Sequence, residues 1–414
     1  MSVLRIPAVY MRGGTSKGVF FRAEDLPGDP ALREAVLLRV VGSPDPYGKQ
    51  IDGMGGATSS TSKVVILAPS KRPDSDVDFL FGQVAIDRPF VDWTGNCGNL
   101  TAAVGPFAIA QGWVRAPRDD GVATVRIWQA NIGKRILAHV PMRGGDVIEE
   151  GEFVLDGVTF PAAEIRLEFL HPGGLGEGGE AGGAMLPTGH VVDTLEVPGV
   201  GNVEATLITA GNPTVFVEAA ALGLRGEDLQ ERLQNDREVL RLTESIRAHG
   251  AVAMGLAASV GEASATRLHT PKIAFVTRAR AYVASSGKAV AAGDIDITVR
   301  MLSMGKLHHA VTGTGAVATA VACAMEGTVP QRVLAAGVDP LATRVGHPSG
   351  VLTVGALVAR SGERWVVEKA VLSRSARRLM EGWVSVPAPQ PRAARPVPSS
   401  AGARESAASR TPAR

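Results

Sequence analysis

Gly95-Asn96-Cys97-Gly98-Asn99-Leu100-Thr101-Ala102-Ala103-Val104 is a glycine turn running into a short helix of small, apolar residues. Thr312-Gly313-Thr314-Gly315-Ala316-Val317-Ala318-Thr319-Ala320-Val321 repeats that design. A helix that is apolar on every side has to be buried, so each copy predicts a central helix enclosed by other elements. With Cys97 set against Thr312, the copies are separated by about half the chain, which predicts two similar halves related by a pseudo-twofold axis.

The segments between the copies supply the wrapping. Short β-branched runs bounded by Gly, Asp and Pro recur at Val64–Leu67, Val77–Phe81, Thr124–Trp128, Ile136–Val140, Thr214–Val217, Ile273–Val276, Ile295–Arg300 and Leu352–Val358, and they read as strands. Helical patterns are fewer. Asp29-Pro30 caps Ala31–Val41, which stops at Gly42, and Asp228–Arg247 carries Leu229, Leu233, Leu240 and Ile246 near helical spacing. Many strands with a few separated helices define an α+β fold, two β-rich domains each wrapped around a central helix. The domains are expected over 1–187 and 188–373, joined near the Gly/Glu-rich run 173–183, with a disordered basic tail over 387–414.

Composition narrows the function classes. The chain has 414 residues, 45% hydrophobic and 20% charged, ample for one core and room for two. The tail holds five Arg and one Glu, which leaves 38 basic and 40 acidic residues in the body. A body this close to neutral argues against a nucleic-acid-binding surface. Two cysteines exclude a disulfide scaffold or a Cys-rich metal cradle. Neither a basic and apolar leader nor a membrane-length apolar run is visible, so the expected location is cytoplasmic, with no membrane partner. The 49 glycines imply many tight turns and close backbone approaches.

Two features carry candidate chemistry. Two helix N-termini facing each other across a pseudo-twofold cleft would offer unpaired N–H groups and positive dipole ends to a small polycarboxylate. Cys97 stands at one helix mouth, where a thiol is activated, whereas Cys323 lies within an apolar run and reads as core. Lys63 ends the polar run Gly55–Ser62 and opens an apolar strand. Burial or nearby cations would bring its pKa down towards that of a working base. Gly13-Gly14-Thr15-Ser16-Lys17-Gly18 lacks the order of a phosphate loop, and Gly313–Ala318 lacks the βαβ setting of a dinucleotide site. His308-His309, being adjacent, should point in different directions and make a poor chelate. Neither metal nor cofactor is indicated.

The run Met11–Phe21 resembles the opening of the 2-methylaconitate cis–trans isomerases of the 2-methylcitrate cycle. The likeness continues through Gly42–Tyr47, Gln50–Lys63, Val91–Leu100, Met304–His309, Gly346–Gly350 and Ser373–Arg377, nearly the whole body. It implies the diaminopimelate-epimerase fold, with the segment 374–386 returning to the first domain. Where the epimerases place two catalytic cysteines, this chain has Cys97 and Thr312. A threonine hydroxyl is too weak an acid to replace a thiol, which argues against two-cysteine epimerisation.

The resemblance therefore implies a cofactor-independent isomerase with Lys63 and Cys97 as acid–base groups; which acts first stays open. Substrate contacts are expected at Thr15, Ser16, Lys17, Ser62, Asn96, Gly98, Asn99, Thr312, Gly313 and Thr314. The likeness adds Lys272 and Ser303. Competing readings are the same chemistry on 4-oxalomesaconate or methylitaconate, and a non-catalytic accessory role beside an iron–sulfur 2-methylcitrate dehydratase. A homo-oligomer is compatible with the sequence.

Overall fold

A computed structural model describes residues 3–115, 119–174, 184–226, 230–362 and 364–387. The central helices are Thr101–Ala110 and Gly313–Ala324. Every residue from Thr101 to Ala108 and from Gly313 to Cys323 is buried, and one apolar cluster encloses both helices. Most of their side chains are Ala, Gly, Thr or Val, small enough to thread a helix through a ring of strands.

The two rings repeat one pairing order. In the first half Val3–Gly13 pairs antiparallel with Ser16–Arg22, which runs parallel to Lys63–Pro69. Lys63–Pro69 is antiparallel to Val77–Val84, and Val77–Val84 is parallel to Gly121–Gln129. Lys134–Arg143 and Ile165–Leu170 then follow antiparallel. In the second half Gly201–Ala210, Asn212–Glu218, Lys272–Arg278, Ile297–Ser303, Thr343–His347, Gly350–Ser361 and Arg364–Arg374 reproduce the same alternation, pair for pair. Arg364–Arg374 also pairs with Ile165–Leu170, and the last strand, Ala376–Pro387, runs along Val3–Gly13. The chain's end thus closes the first ring on both edges.

Strand burial follows what each face covers. Along Gly121–Gln129, Ala123, Val125 and Ile127 are buried while Thr124 and Arg126 are exposed, the period-2 pattern of a sheet with one wet face. Lys63–Leu67 is buried on both faces. Val65 and Leu67 join the cluster around the central helices, and Val64 and Ile66 join one under the outer helix Pro30–Val41. By alternation Lys63 shares the inward face of Val65. Lys272 does the same: Ala274 and Val276 face inward, whereas Ile273 and Phe275 belong to the cluster that holds Val239 and Ile246 of helix Arg237–Ala253.

The helix Pro30–Val41 starts and stops as its sequence predicts, with Asp29 accepting from Leu32 N and Gly42 left-handed at φ 84°. The second predicted helix differs. Its first residues, 228 and 229, lie outside the described residues, as do most of the 173–183 join and the tail beyond Pro387. The remainder is two helices, Gln230–Asn235 and Arg237–Ala253, because Asp236 accepts from the amides of Glu238 and Val239 and so caps a new start.

The two central helices meet at their N-termini through glycine. A Cβ on Gly313 would lie 2.4 Å from Asn99 N and Gly98 C, and one on Gly98 would lie 2.7 Å from Gly313 C. All the opposing atoms are backbone and cannot swing aside. Gly313→Ala is expected to cost about 2–3 kcal/mol in urea unfolding as the helix mouths are forced apart. Gly293→Ala, with open space around it, should change nothing; equal midpoints for the two variants would refute the close approach.

Candidate active site

The repeated topology brings two lysines to one place. Lys63 opens its strand opposite Gln83, and Lys272 opens the twofold-related strand, where the register puts Ser303 opposite it. Lys63 Nζ donates to Gln83 Oε1 at 2.6 Å, and Gln83 Nε2 donates to Ser62 O, which fixes the amide with its oxygen towards the lysine. Lys272 Nζ is surrounded by Ser303 Oγ at 2.8 Å, His269 O at 2.6 Å and His269 Nδ1 at 2.8 Å. His269 Nε2 lies 3.2 Å from Asn96 O, an acceptor only, so that nitrogen carries the proton and Nδ1 accepts from Lys272.

Both lysines and Cys97 line a chamber of about 10 Å³, room for roughly one water. A polycarboxylate is far larger, so its admission requires the chamber to widen. The floor is the pair of helix mouths. Leu100 N approaches Cys97 Sγ at 3.5 Å, Thr101 N donates to Cys97 O and Ala102 N to Asn99 O. These contacts leave the amides of Gly98 and Asn99 without a partner on their own helix. The Thr312 hydroxyl caps the other helix, accepting from Gly315 N at 3.1 Å and donating to Met301 Sδ. Gly313 and Thr314, the first two residues of that helix, likewise have no intrahelical acceptor.

The electrostatics favour neutral bases and a bound anion. Burial pushes the Lys63 ammonium below its usual 10.5, while the neighbouring Cys97 pulls it back up. Burial, reinforced by the charge of Lys63, lowers Lys272 further. His269 and His308 are also pushed well below the ordinary histidine value, first by burial and then by neighbouring cations or imidazole. Arg374 is wholly buried, and burial lowers it to about 9. It donates to Asn99 Oδ1 at 2.8 Å, and Asn99 Nδ2 in turn holds Thr15 Oγ1 at 3.0 Å. Three atoms at the chamber are buried without a partner, Asn96 Oδ1, Asn96 Nδ2 and Ser16 Oγ. Leaving such groups unmet is costly, and a polar ligand would satisfy them.

Of the residues singled out in the sequence, Ser16, Lys63, Asn96, Cys97, Asn99, Lys272, Ser303, Thr312, Gly313 and Thr314 line this chamber. Thr15 and Lys17 line the adjoining cavity instead. Ser62 and Gly98 line neither. The Ser62 hydroxyl turns away to Gln50 Oε1 at 2.8 Å, because alternation along the strand opposes it to Lys63, and Gly98 is used for helix contact. His308 and His309 do not diverge. They follow a two-residue strand with no regular backbone beyond it, their rings stack 4.8 Å apart, and both approach Ser60 Oγ. Among the described residues no group of three or more His, Cys, Asp or Glu could hold a metal ion.

Sequence reasoning missed Gln83, His269, His308 and Arg374 as site residues. A signal for the lysine pair was present, since Lys63-Val-Val-Ile-Leu and Lys272-Ile-Ala-Phe-Val are the same strand opening.

Comparison with known proteins gives this geometry a family. Residues 3–387 match the family model described as PrpF protein. The chain belongs to the PrpF family. Among PrpF relatives, the 2-methyl-aconitate isomerase of Cupriavidus necator is 60% identical, covering 93% of this chain and 98% of its own. The 2-methyl-aconitate isomerase of Shewanella oneidensis is 59% identical with the same coverage. The crystal structure of a methylitaconate-delta-isomerase superposes with a TM-score of 0.73 at 40% identity, covering 93% of this chain and 96% of that one. The α+β fold expected from the sequence is thereby shown, and the chamber described above is that of a PrpF protein of the isomerase kind.

Proposed function

We propose that this chain interconverts 2-methyl-trans-aconitate and 2-methyl-cis-aconitate by moving one proton. The observation that carries the reading is the Lys63–Cys97 pair, buried over two helix mouths in a chain 60% identical to a 2-methyl-aconitate isomerase. The substrate's CH2 lies between a carboxylate and a carbon–carbon double bond conjugated to another carboxyl group. Lys63, whose burial favours the neutral amine, takes a CH2 proton. The charge spreads through the double bond, which loses its double character and rotates, and a proton, free to exchange with solvent while on the base, returns to the same carbon. The amides of Gly98, Asn99, Gly313 and Thr314 stabilise the added negative charge, being fixed in place before the reaction begins. Cys97 serves as a second acid–base or positioning group, Asn96, Ser16 and Ser303 hold carboxylates, and Lys272 donates to the Ser303 hydroxyl and so aims it at the substrate. None of these steps calls on a cofactor.

The proposed setting is propionate breakdown through the 2-methylcitrate cycle in the cytoplasm, beside an iron–sulfur dehydratase that makes or uses the product. No helix among the described residues is long and apolar enough to cross a membrane. Assembly into a homo-oligomer belongs to the same proposal.

A proton NMR time course of metal-free protein with 2-methyl-trans-aconitate in deuterated buffer tests the reaction. The cis isomer should form with deuterium entering at the CH2. Turnover of methylitaconate or oxalomesaconate in its place would keep the chemistry and change the substrate.

A further inference from the structure

The catalytic chamber adjoins a second cavity of about 500 Å³, walled by the turn Thr58–Thr61, the loop Gly157–Phe160 and four cationic side chains, Arg12, Lys17, Lys306 and Arg377. Not one Asp or Glu lines it. The side chains of Lys306 and Arg377 are exposed and make no hydrogen bond or ion pair among the described residues. Arg12 donates only to uncharged oxygens, those of Gly14 and Ser375. The acid it senses, Glu149, lines a different cavity. Lys17 lies 5.4 Å from the centre of the Tyr10 ring and likewise has no carboxylate.

Four cations with no carboxylate among the residues that line their concavity repel each other, and on a body close to neutral they are not explained by solubility. Fixed charge of one sign in a hollow focuses the field and concentrates ions of the opposite sign. The two cavities share Ser16, Ser59 and His308, so these three form the wall between them. Ser16 Oγ, buried in that wall, has no partner.

We propose that this basin is a capture site for the polycarboxylate, in which Lys306 and Arg377 draw in a trianion and hand it past Ser16 and His308 to the chamber. The inference rests on the reading of the substrate as a polycarboxylate and adds where and how its charge is read. A ligand with a single carboxylate gains little from the basin, which makes Lys306 and Arg377 specificity determinants that never touch the reacting carbon.

The test uses tricarballylate, a saturated tricarboxylate that cannot isomerise, titrated calorimetrically into the wild type and the Lys306→Gln/Arg377→Gln double variant. Wild-type affinity should fall about tenfold between about 20 and about 200 mM salt. The double variant should bind about tenfold more weakly at low salt and respond much less to added salt. In turnover its loss should lie in KM. Wild-type affinity and salt response in the double variant, or no binding of tricarballylate by the wild type, would overturn the basin. Salt-dependent binding that the double variant loses, with no turnover of 2-methylaconitate, would uphold the basin and refute the reaction assigned above.

Discussion

Lys63→Ala and Lys63→Met are expected to lose about 10²–10⁴-fold in turnover, the range a single general base contributes. The argument for Lys63 over Lys272 is one of free capacity. Three neighbours and its own Cε take all four tetrahedral directions of Lys272 Nζ, which leaves no lone pair facing the substrate. Lys63 has Gln83 Oε1 and the Cys97 side chain, with the Phe81 ring 4.9 Å away, and so retains a position directed at substrate. Methionine fills the same space without a charge. Removing a buried polar amine offsets the loss of the Gln83 contact, so Lys63→Met should melt within a few degrees of the wild type. Near-normal turnover in a folded Lys63→Met protein would sink the assignment. Deuterium entry separates the lysine from the thiol: Lys63 variants should lose CH2 exchange together with isomerisation, while Cys97→Ser should keep part of the exchange. The reverse pattern would exchange their roles. In the wild type kcat/KM should rise with pH through a midpoint below 10.5, since burial moves the lysine in that direction.

The fold was legible because it is written twice. The glycine turns and the all-apolar helices after them are local signals, and burial of both follows from having no polar face. The strand runs were legible for the same reason, β-branched residues between turn formers. What local pattern does not hold is the pairing order that makes Lys63 and Lys272 equivalent, since register is set by residues far apart in sequence. Gln83 illustrates the difficulty. Nothing around it marks it as a site residue, and its importance comes from lying opposite Lys63 in an antiparallel pair. Arg374 is similar, a lone arginine near the chain's end that reaches the first helix mouth only because Arg364–Arg374 joins Ile165–Leu170. Ser62 misled in the opposite way: polar, and next to Lys63, it belongs to the other face of the strand.

The protein is expected to lose stability steeply as pH falls from 7.5 to 5.5, before its carboxylates titrate. Three fully buried imidazoles are the cause. His347 Nδ1 accepts from Ser349 N and His308 Nδ1 from Ala310 N, while His269 Nδ1 accepts from Lys272. Protonation would turn each acceptor into a donor facing a donor, within a shell of cations. Burial first, then Arg374 and Arg300, hold His347 down at about 3, and His269 and His308 also lie well below 6.5. In the unfolded chain all three take up protons near 6.5, so below that pH the unfolded state binds more protons than the native one. Stability is therefore complete above 6.5 and declines as pH falls towards the native values. Each histidine that remains neutral costs about 1.4 kcal/mol one pH unit below 6.5, so three cost roughly 4 kcal/mol at pH 5.5. Against a total of about 5–15 kcal/mol, that is a large share. Urea unfolding at the two pH values measures it, and a flat response would refute it. His347→Asn, whose side-chain oxygen can still accept from Ser349 N, should remove about one proton from the pH slope. That leaves the two histidines at the chamber to account for the rest, which ties acid sensitivity to the same burial that lowers Lys63.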